Sequence, residues 1–143
     1  MQRGFPMTPI PYLTFQGTCR EAMTFYADVF GGTLDMMMKP GDAPDFEVPP
    51  GKEDWVMHTG LQFEGGGALF ASDDMFGDAM PMQGSSIHMA FPTADEGRAA
   101  FEKLAEGGDV RMPYAATFWT AGFGTLKDRF GTNWMISTEQ EPA

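Results

Sequence analysis

The sequence predicts an α+β fold made of two copies of one βαβββ module. Three observations predict it. A Thr-x-x-Glu box opens a helix twice, at Thr18–Glu21 and at Thr93–Glu96. A double glycine closes each helix, at Gly31-Gly32 and Gly107-Gly108. The two threonines lie 75 positions apart and the second glycines 76 apart. Matched start, apolar face and stop, in the same order and nearly the same register, indicate an internal repeat.

The first module, about residues 8–74, opens on Ile10-Pro11-Tyr12-Leu13-Thr14-Phe15. This run is rich in β formers, and its prolines mark an edge strand or one that starts late. Thr18-Cys19-Arg20-Glu21 has the form of a capping box, in which Thr and Glu each satisfy an orphan N–H. Ala22, Phe25, Tyr26, Val29 and Phe30 recur at helical spacing. Gly31 supplies the left-handed residue that ends a helix. Three strands are then expected at Thr33–Lys39, Trp55–Phe63 and Ala68–Asp73, with Gly65-Gly66-Gly67 as a hairpin turn. Pro40 to Asp54 lacks periodicity and reads as a long loop.

The second module, about residues 85–138, repeats this grammar. His88-Met89-Ala90-Phe91 reads as a strand, and Ala99, Ala100, Phe101, Leu104 and Ala105 as a helix face. Strands follow at Asp109–Ala115, Gly122–Asp128 and Asn133–Thr138, the last two joined by a tight turn at Arg129-Phe130-Gly131-Thr132. Between the modules, Asp74 to Gly84 carries Met75, Phe76, Met80 and Met82. Loops of this length are often lids or contact segments, and dimer contact is the simpler reading.

Bulk properties narrow the function. A chain of 143 residues can bury roughly 70% of its unfolded surface, enough for a real core. Apolar residues make up 43%, which argues against disorder. A net charge of −11 disfavours nucleic acid and anionic membrane surfaces as partners. No apolar stretch approaches the ~20 residues that span a bilayer. Residues Met1 to Met7 hold no apolar run of the kind a signal peptide needs. The single cysteine, Cys19, excludes an internal disulfide and fits a reducing compartment. A cytoplasmic protein is expected.

Several stretches resemble a known family. They are Pro11-Tyr12-Leu13-Thr14-Phe15, Val29-Phe30-Gly31-Gly32, Met57-His58, Ala71-Ser72-Asp73 and, most specifically, Thr117-Phe118-Trp119, Phe123-Gly124, Asp128-Arg129-Phe130-Gly131 and Trp134-Met135-Ile136. They resemble the PhnB-like branch, labelled as a 3-demethylubiquinone-9 3-methyltransferase domain, of the glyoxalase/bleomycin resistance/dioxygenase (vicinal oxygen chelate) superfamily. The resemblance covers nearly the whole chain. It implies two modules that curl into an incomplete barrel, enclosing a cavity within a chain or between the chains of a homodimer. A homodimer is the expectation here.

The resemblance also implies where a divalent metal would sit in metal-using relatives: on the opening and closing strands of both modules. Here those positions fall near Pro11, near Leu69 or Ala71, on His88 and near Met135. One imidazole, one soft thioether and two residues without donors do not make an ordinary divalent site. The expected protein therefore has no cofactor and no metal. It would bind a small, partly apolar molecule among His58, His88, Phe118, Trp119, Asp73 and Met135.

Four of these residues have a plainer reading. His58 and His88 are as readily core histidines, Asp73 a turn cap, and Trp119 a core aromatic. Trp55 and Trp134 read as core or interface. The alternative function is a metal-dependent lyase, isomerase or dioxygenase, with His88, His58 and Asp73 as its ligand set. Methyl transfer is discounted because no strand–GxGxG–helix element appears. Cys19, inside a capping box with no neighbouring His in sequence, is a weak nucleophile candidate.

Overall fold

The computed structural model describes residues 7–143, which fall into two compact units meeting in sequence between Ala79 and Met80. The first unit contains β1 (Tyr12–Phe15), α1 (Cys19–Phe30), β2 (Thr33–Leu34), β3 (Thr59–Gln62) and β4 (Ala68–Asp73). The second contains β5 (Ile87–Phe91), α2 (Ala94–Ala105), β6 (Asp109–Ala115), β7 (Phe123–Lys127) and β8 (Asn133–Thr138). Each unit is therefore βαβββ, as the repeat requires.

The two sheets share one topology. The first has the order β1-β4-β3-β2 and the second β5-β8-β7-β6. In both, the opening and closing strands run parallel, and the other neighbours antiparallel. Neither sheet closes into a barrel. The opening strand β1 lies at an edge, as Pro9 and Pro11 demand.

Alternation divides each sheet into a face packed on its helix and an open face. In the first unit Leu13, Phe15, Leu69, Ala71 and Asp73 are buried beside Thr59 and Leu61. Cys19, Ala22, Met23 and Tyr26 of α1 are buried with them. Phe25, Val29 and Phe30, expected on this face, are only half-buried. In the second unit Ile87, Leu126, Trp134 and Ile136 are buried, as are Ala100, Phe101 and Leu104 of α2.

The second glycine of each helix stop serves a shared contact. A Cβ on Gly32 would clash with the backbone carbonyl of Gln62, and one on Gly108 with that of Lys127. Both carbonyls end the third strand of their unit. The double glycine is thus a close-approach site repeated in both copies.

The two helices start differently. Thr93 Oγ1 accepts from Glu96 N at 3.2 Å, as a Thr cap should. Thr18 makes no side-chain cap, and its backbone (φ −107°, ψ 8°) departs from the extended form a cap needs. The expected first capping box is replaced by Asp73, reaching across from the end of β4. Asp73 Oδ1 accepts from Gly17 N (2.8 Å) and Cys19 N (3.0 Å), and Oδ2 from Val56 N (2.9 Å). One buried carboxylate thereby joins β4, the start of α1 and the segment before β3.

Other departures have local causes. The strand expected at Thr33–Lys39 stops at Leu34, and only Met38 rejoins, as an isolated bridge to His58. The strand expected at Trp55–Phe63 shortens to Thr59–Gln62. The Pro40–Asp54 loop includes a single 3₁₀ turn at Pro40–Asp42. Strand β6 carries two register shifts around Pro113. They turn Tyr114 inward, where its hydroxyl donates to Ala94 O at 2.9 Å. A Cβ on Gly97 or Gly122 would collide with that hydroxyl, which explains a glycine inside α2.

Replacing Asp73 with Ala orphans three backbone N–H groups, two of them in bonds buried from water. Hydrogen bonds to a charged group contribute about 1.5–3 kcal/mol each, not fully additively. Urea unfolding of Asp73→Ala is therefore expected to show a loss of about 3 kcal/mol or more. A Thr18→Ala variant should lose much less, reversing the order that the capping-box motif implies.

Candidate functional site

The parallel strand pairs decide which side chains reach the open faces. In the second unit His88 is paired with Met135 and Ala90 with Ser137. Three pairs before the end of the first unit's parallel ladder stand Tyr12 and Phe70. These are the positional counterparts of His88 and Met135. Leu69 and Ala71, the positions implied for a metal ligand, are buried against the helix instead. The open-face residues are one place along: Tyr12 rather than Pro11, and Phe70 rather than Leu69 or Ala71.

The open face of the first unit carries an aromatic and polar set. Tyr12 Oη lies 3.2 Å from His58 Nδ1, and the two rings are 5.8 Å apart. His58 meets Phe70 edge-on at 5.2 Å. In the tautomer where Tyr12 donates to Nδ1, the proton sits on Nε2 and His58 presents a donor. Asp35 lies nearby, with its carboxylate accepting from Gln62 Nε2 at 3.2 Å. Tyr12 is half exposed and His58 half-buried. The sequence reading singled out His58 but missed Tyr12 and Phe70. The available signal was alternation, because an inward Leu13 and Phe15 force Tyr12 outward.

The second open face links four of the expected residues. His88 Nε2 lies 2.7 Å from Ser137 Oγ. Ser137 is paired with Phe123, which contacts Trp119 at 5.7 Å. Trp119 meets Phe118 edge-on at 4.8 Å. Met135 is the register partner of His88 and of Thr125. Phe118 is 91% exposed and Trp119 55%, so neither is a core residue. Ser137 was not singled out by sequence. Trp134 is buried, and its Nε1 donates to Asp128 Oδ2 at 2.8 Å.

Asp73 stands apart from these groups. It is 3% exposed, faces the helix, and its oxygens accept backbone N–H groups. It does not share a face with His58. The alternative set of His88, His58 and Asp73 therefore lacks its carboxylate. Among the described residues, no three His, Cys, Asp or Glu side chains converge in a way that suits a metal ion. The counterpart positions read Tyr, Phe, His and Met, a donor set that does not fit a divalent cation.

Cys19 is also buried, at the first position of α1. Burial pushes its thiol up to about 12, and the adjacent Asp73 carboxylate adds to the shift against a smaller opposing effect of Arg20. A helix N-terminus ordinarily activates a thiol, but desolvation wins here. The native thiol is expected to be inert to a disulfide reagent at pH 8 and to react on addition of denaturant. The raised value also sets a pH dependence. The folded state holds the proton more tightly, so this stability is fully present below the unfolded thiol's pKa of roughly 8.5. It is lost as pH rises from there toward 12. Urea midpoints at pH 7.5 and pH 10 should fall further for the parent protein than for Cys19→Ala.

Comparison with known proteins places this geometry. Residues 11–136 match the family profile described as the Glyoxalase/Bleomycin resistance protein/Dioxygenase superfamily. The chain is 32% identical to Protein YjdN of Escherichia coli (strain K12), over 92% of this chain and 96% of that protein. Protein PA1353 from Pseudomonas aeruginosa is 40% identical in sequence, and its crystal structure superposes with a TM-score of 0.86. That match covers 95% of this chain and 100% of the other. The PhnB protein from Bacillus cereus, whose name carries the 3-demethylubiquinone-9 3-methyltransferase label, is 24% identical with a TM-score of 0.76. It covers 92% of this chain and 99% of its own, and attests the fold.

Proposed function

The chain belongs to the Glyoxalase/Bleomycin resistance protein/Dioxygenase superfamily, and we propose that within it this protein binds a small, partly apolar molecule without a catalytic metal. One observation carries the reading. The paired opening and closing strands present Tyr12 and Phe70 in one unit and His88 and Met135 in the other. These are recognition groups: aromatic rings, a thioether, and imidazoles already hydrogen-bonded to Tyr12 and Ser137. Aromatic side chains supply apolar contact area, and a few placed polar groups fix orientation.

In this reading His58, held by Tyr12, orients a polar atom of the ligand while Phe70 contacts its apolar body. In the second unit His88 and Met135 play the matching parts, with Phe118 and Trp119 as aromatic walls. A homodimer fits the proposal, since exposed aromatics at Phe118 and Trp119 suit either a ligand or a second copy. On the described residues, no helix is long and apolar enough to cross a membrane, and a cytoplasmic location fits the composition.

Elemental analysis of protein purified without chelators tests the central claim. Zn, Ni, Fe and Mn should each be far below one per chain. Stoichiometric metal that disappears in His58→Ala or His88→Ala would overturn the proposal in favour of a metal-dependent lyase, isomerase or dioxygenase. Mass spectrometry of small molecules released on denaturation gives the second readout. Any co-purified ligand should be retained by Asp73→Asn and lost from Tyr12→Ala/His58→Ala.

A further inference from the structure

The first unit also holds an open pocket of about 350 Å³, lined by none of the open-face residues named above. Phe46, Val48, Pro49, Pro50 and Phe76 make its apolar walls, and Asp45 and Glu47 also line it. We propose that this pocket binds a small organic cation: an ammonium group carried on an aromatic or branched aliphatic body.

The walls argue for the body. Phe46 and Phe76 lie 5.7 Å apart with rings inclined at 60°. Phe76 is 78% exposed, which leaves most of its ring open to a ligand. Yet the loop bearing it is firmly held. Asp74 Oδ1 accepts from Phe76 N and Gly77 N, both at 3.0 Å. Gln16 braces the same loop by donating to Gly77 O (3.1 Å) and accepting from Ala79 N (2.7 Å). The opposing loop is tied in by Lys52, whose ammonium donates to Met75 O at 3.0 Å. A preorganised aromatic cleft loses little conformational freedom on binding. Its volume suits a ligand at the small end of the usual range.

The charge argues for the cation. Both titratable side chains lining the pocket are acids, and no Lys, Arg or His lines it. Lys52, the nearest cation in sequence, does not line the pocket; its ammonium is engaged by the 74–75 carbonyls and lies over the Trp55 ring at 4.6 Å. An ammonium ion bound in this pocket gains Coulomb attraction from Asp45 and Glu47 and cation–π attraction from the rings. A net charge of −11 adds a favourable long-range field.

The probe is 2-phenylethylammonium, with 2-phenylethanol as its neutral isostere, titrated into ¹⁵N-labelled full-length protein. Saturable amide shifts are expected in residues 45–52 and 74–77, with the ammonium bound about tenfold more tightly than the alcohol at low salt and the gap narrowing as salt rises. Phe76→Ala should weaken both probes. The double variant Asp45→Asn/Glu47→Gln should erase the preference while keeping the alcohol's affinity, and dispersed spectra verify that each variant folds. Equal affinity for the two probes, or no saturable shift in these segments, overturns the proposal. Shifts confined to Tyr12, His58 and Phe70 also overturn it, while leaving the open-face reading intact. So does a dimer that Phe76→Ala dissociates without probe binding in the parent protein, because the pocket is then a contact between copies.

Discussion

The open faces of this protein are dictated by one constraint: the opening and closing strands of each unit are paired in parallel. Parallel neighbours cannot be joined by a hairpin, so a long crossover must intervene. Here the crossover is a helix and two further strands, which gives βαβββ in each unit. The pairing also fixes the chemistry, because a slip of one residue in a ladder sends every side chain to the opposite face. The register is pinned at its far end in both units. Phe15 pairs with buried Asp73, and Phe91 with Thr138, whose hydroxyl donates to Phe91 O at 2.9 Å. With the ends fixed, Tyr12 and His88 face outward.

The two units solve the same problem of helix initiation by different means. The second uses its own Thr93, a local and neutral acceptor. The first uses Asp73, distant in sequence, charged and almost wholly buried. A charged acceptor is stronger, and one carboxylate serves three donors. The price is dependence: α1, β4 and the segment entering β3 lose a common anchor if Asp73 is removed. Asp128 has a comparable place in the second unit. It accepts from Phe130 N and Thr132 N in the turn before β8, and from the Trp134 indole. Such carboxylates, lodged in a sequence motif, read easily as functional acids when their work is to satisfy backbone donors.

What could be read from sequence depended on range. The repeat, both helices, the strands Ala68–Asp73, Asp109–Ala115 and Asn133–Thr138, and the glycine hairpin follow from local patterns, and the structure has them. The failure at Thr18 is a long-range override, since nothing near Thr18 announces Asp73. The breakdown of β2 after Leu34 has the same character. The Met36–Met38 run looks continuous with a strand, yet among the described residues only Met38 of this run pairs, donating to His58 O and accepting from Met57 N. Gly97 and Gly122 were silent in sequence because their meaning lies in a third residue, Tyr114. At the candidate site, His58 and His88 stood out as chemistry-bearing types. Their partners Tyr12 and Ser137 did not, being commonplace residues until the sheet registers place them.

The one-residue offset on the first unit's strands matters most for chemistry. Reading the counterpart positions as Pro11 and an apolar Leu69 or Ala71 describes a site that has lost side chains. Reading them as Tyr12 and Phe70 describes a face furnished with other ones. Here a phenol bonds an imidazole, and that imidazole rests its edge against a second ring. In the second unit an imidazole bonds a serine hydroxyl beside a thioether. Positions that suit a Lewis acid in one branch of a superfamily suit shape and hydrogen-bond recognition when filled this way. That the four counterpart positions carry no carboxylate and that the aromatic contacts are organised are separate observations, and both support the binding role proposed for the open faces.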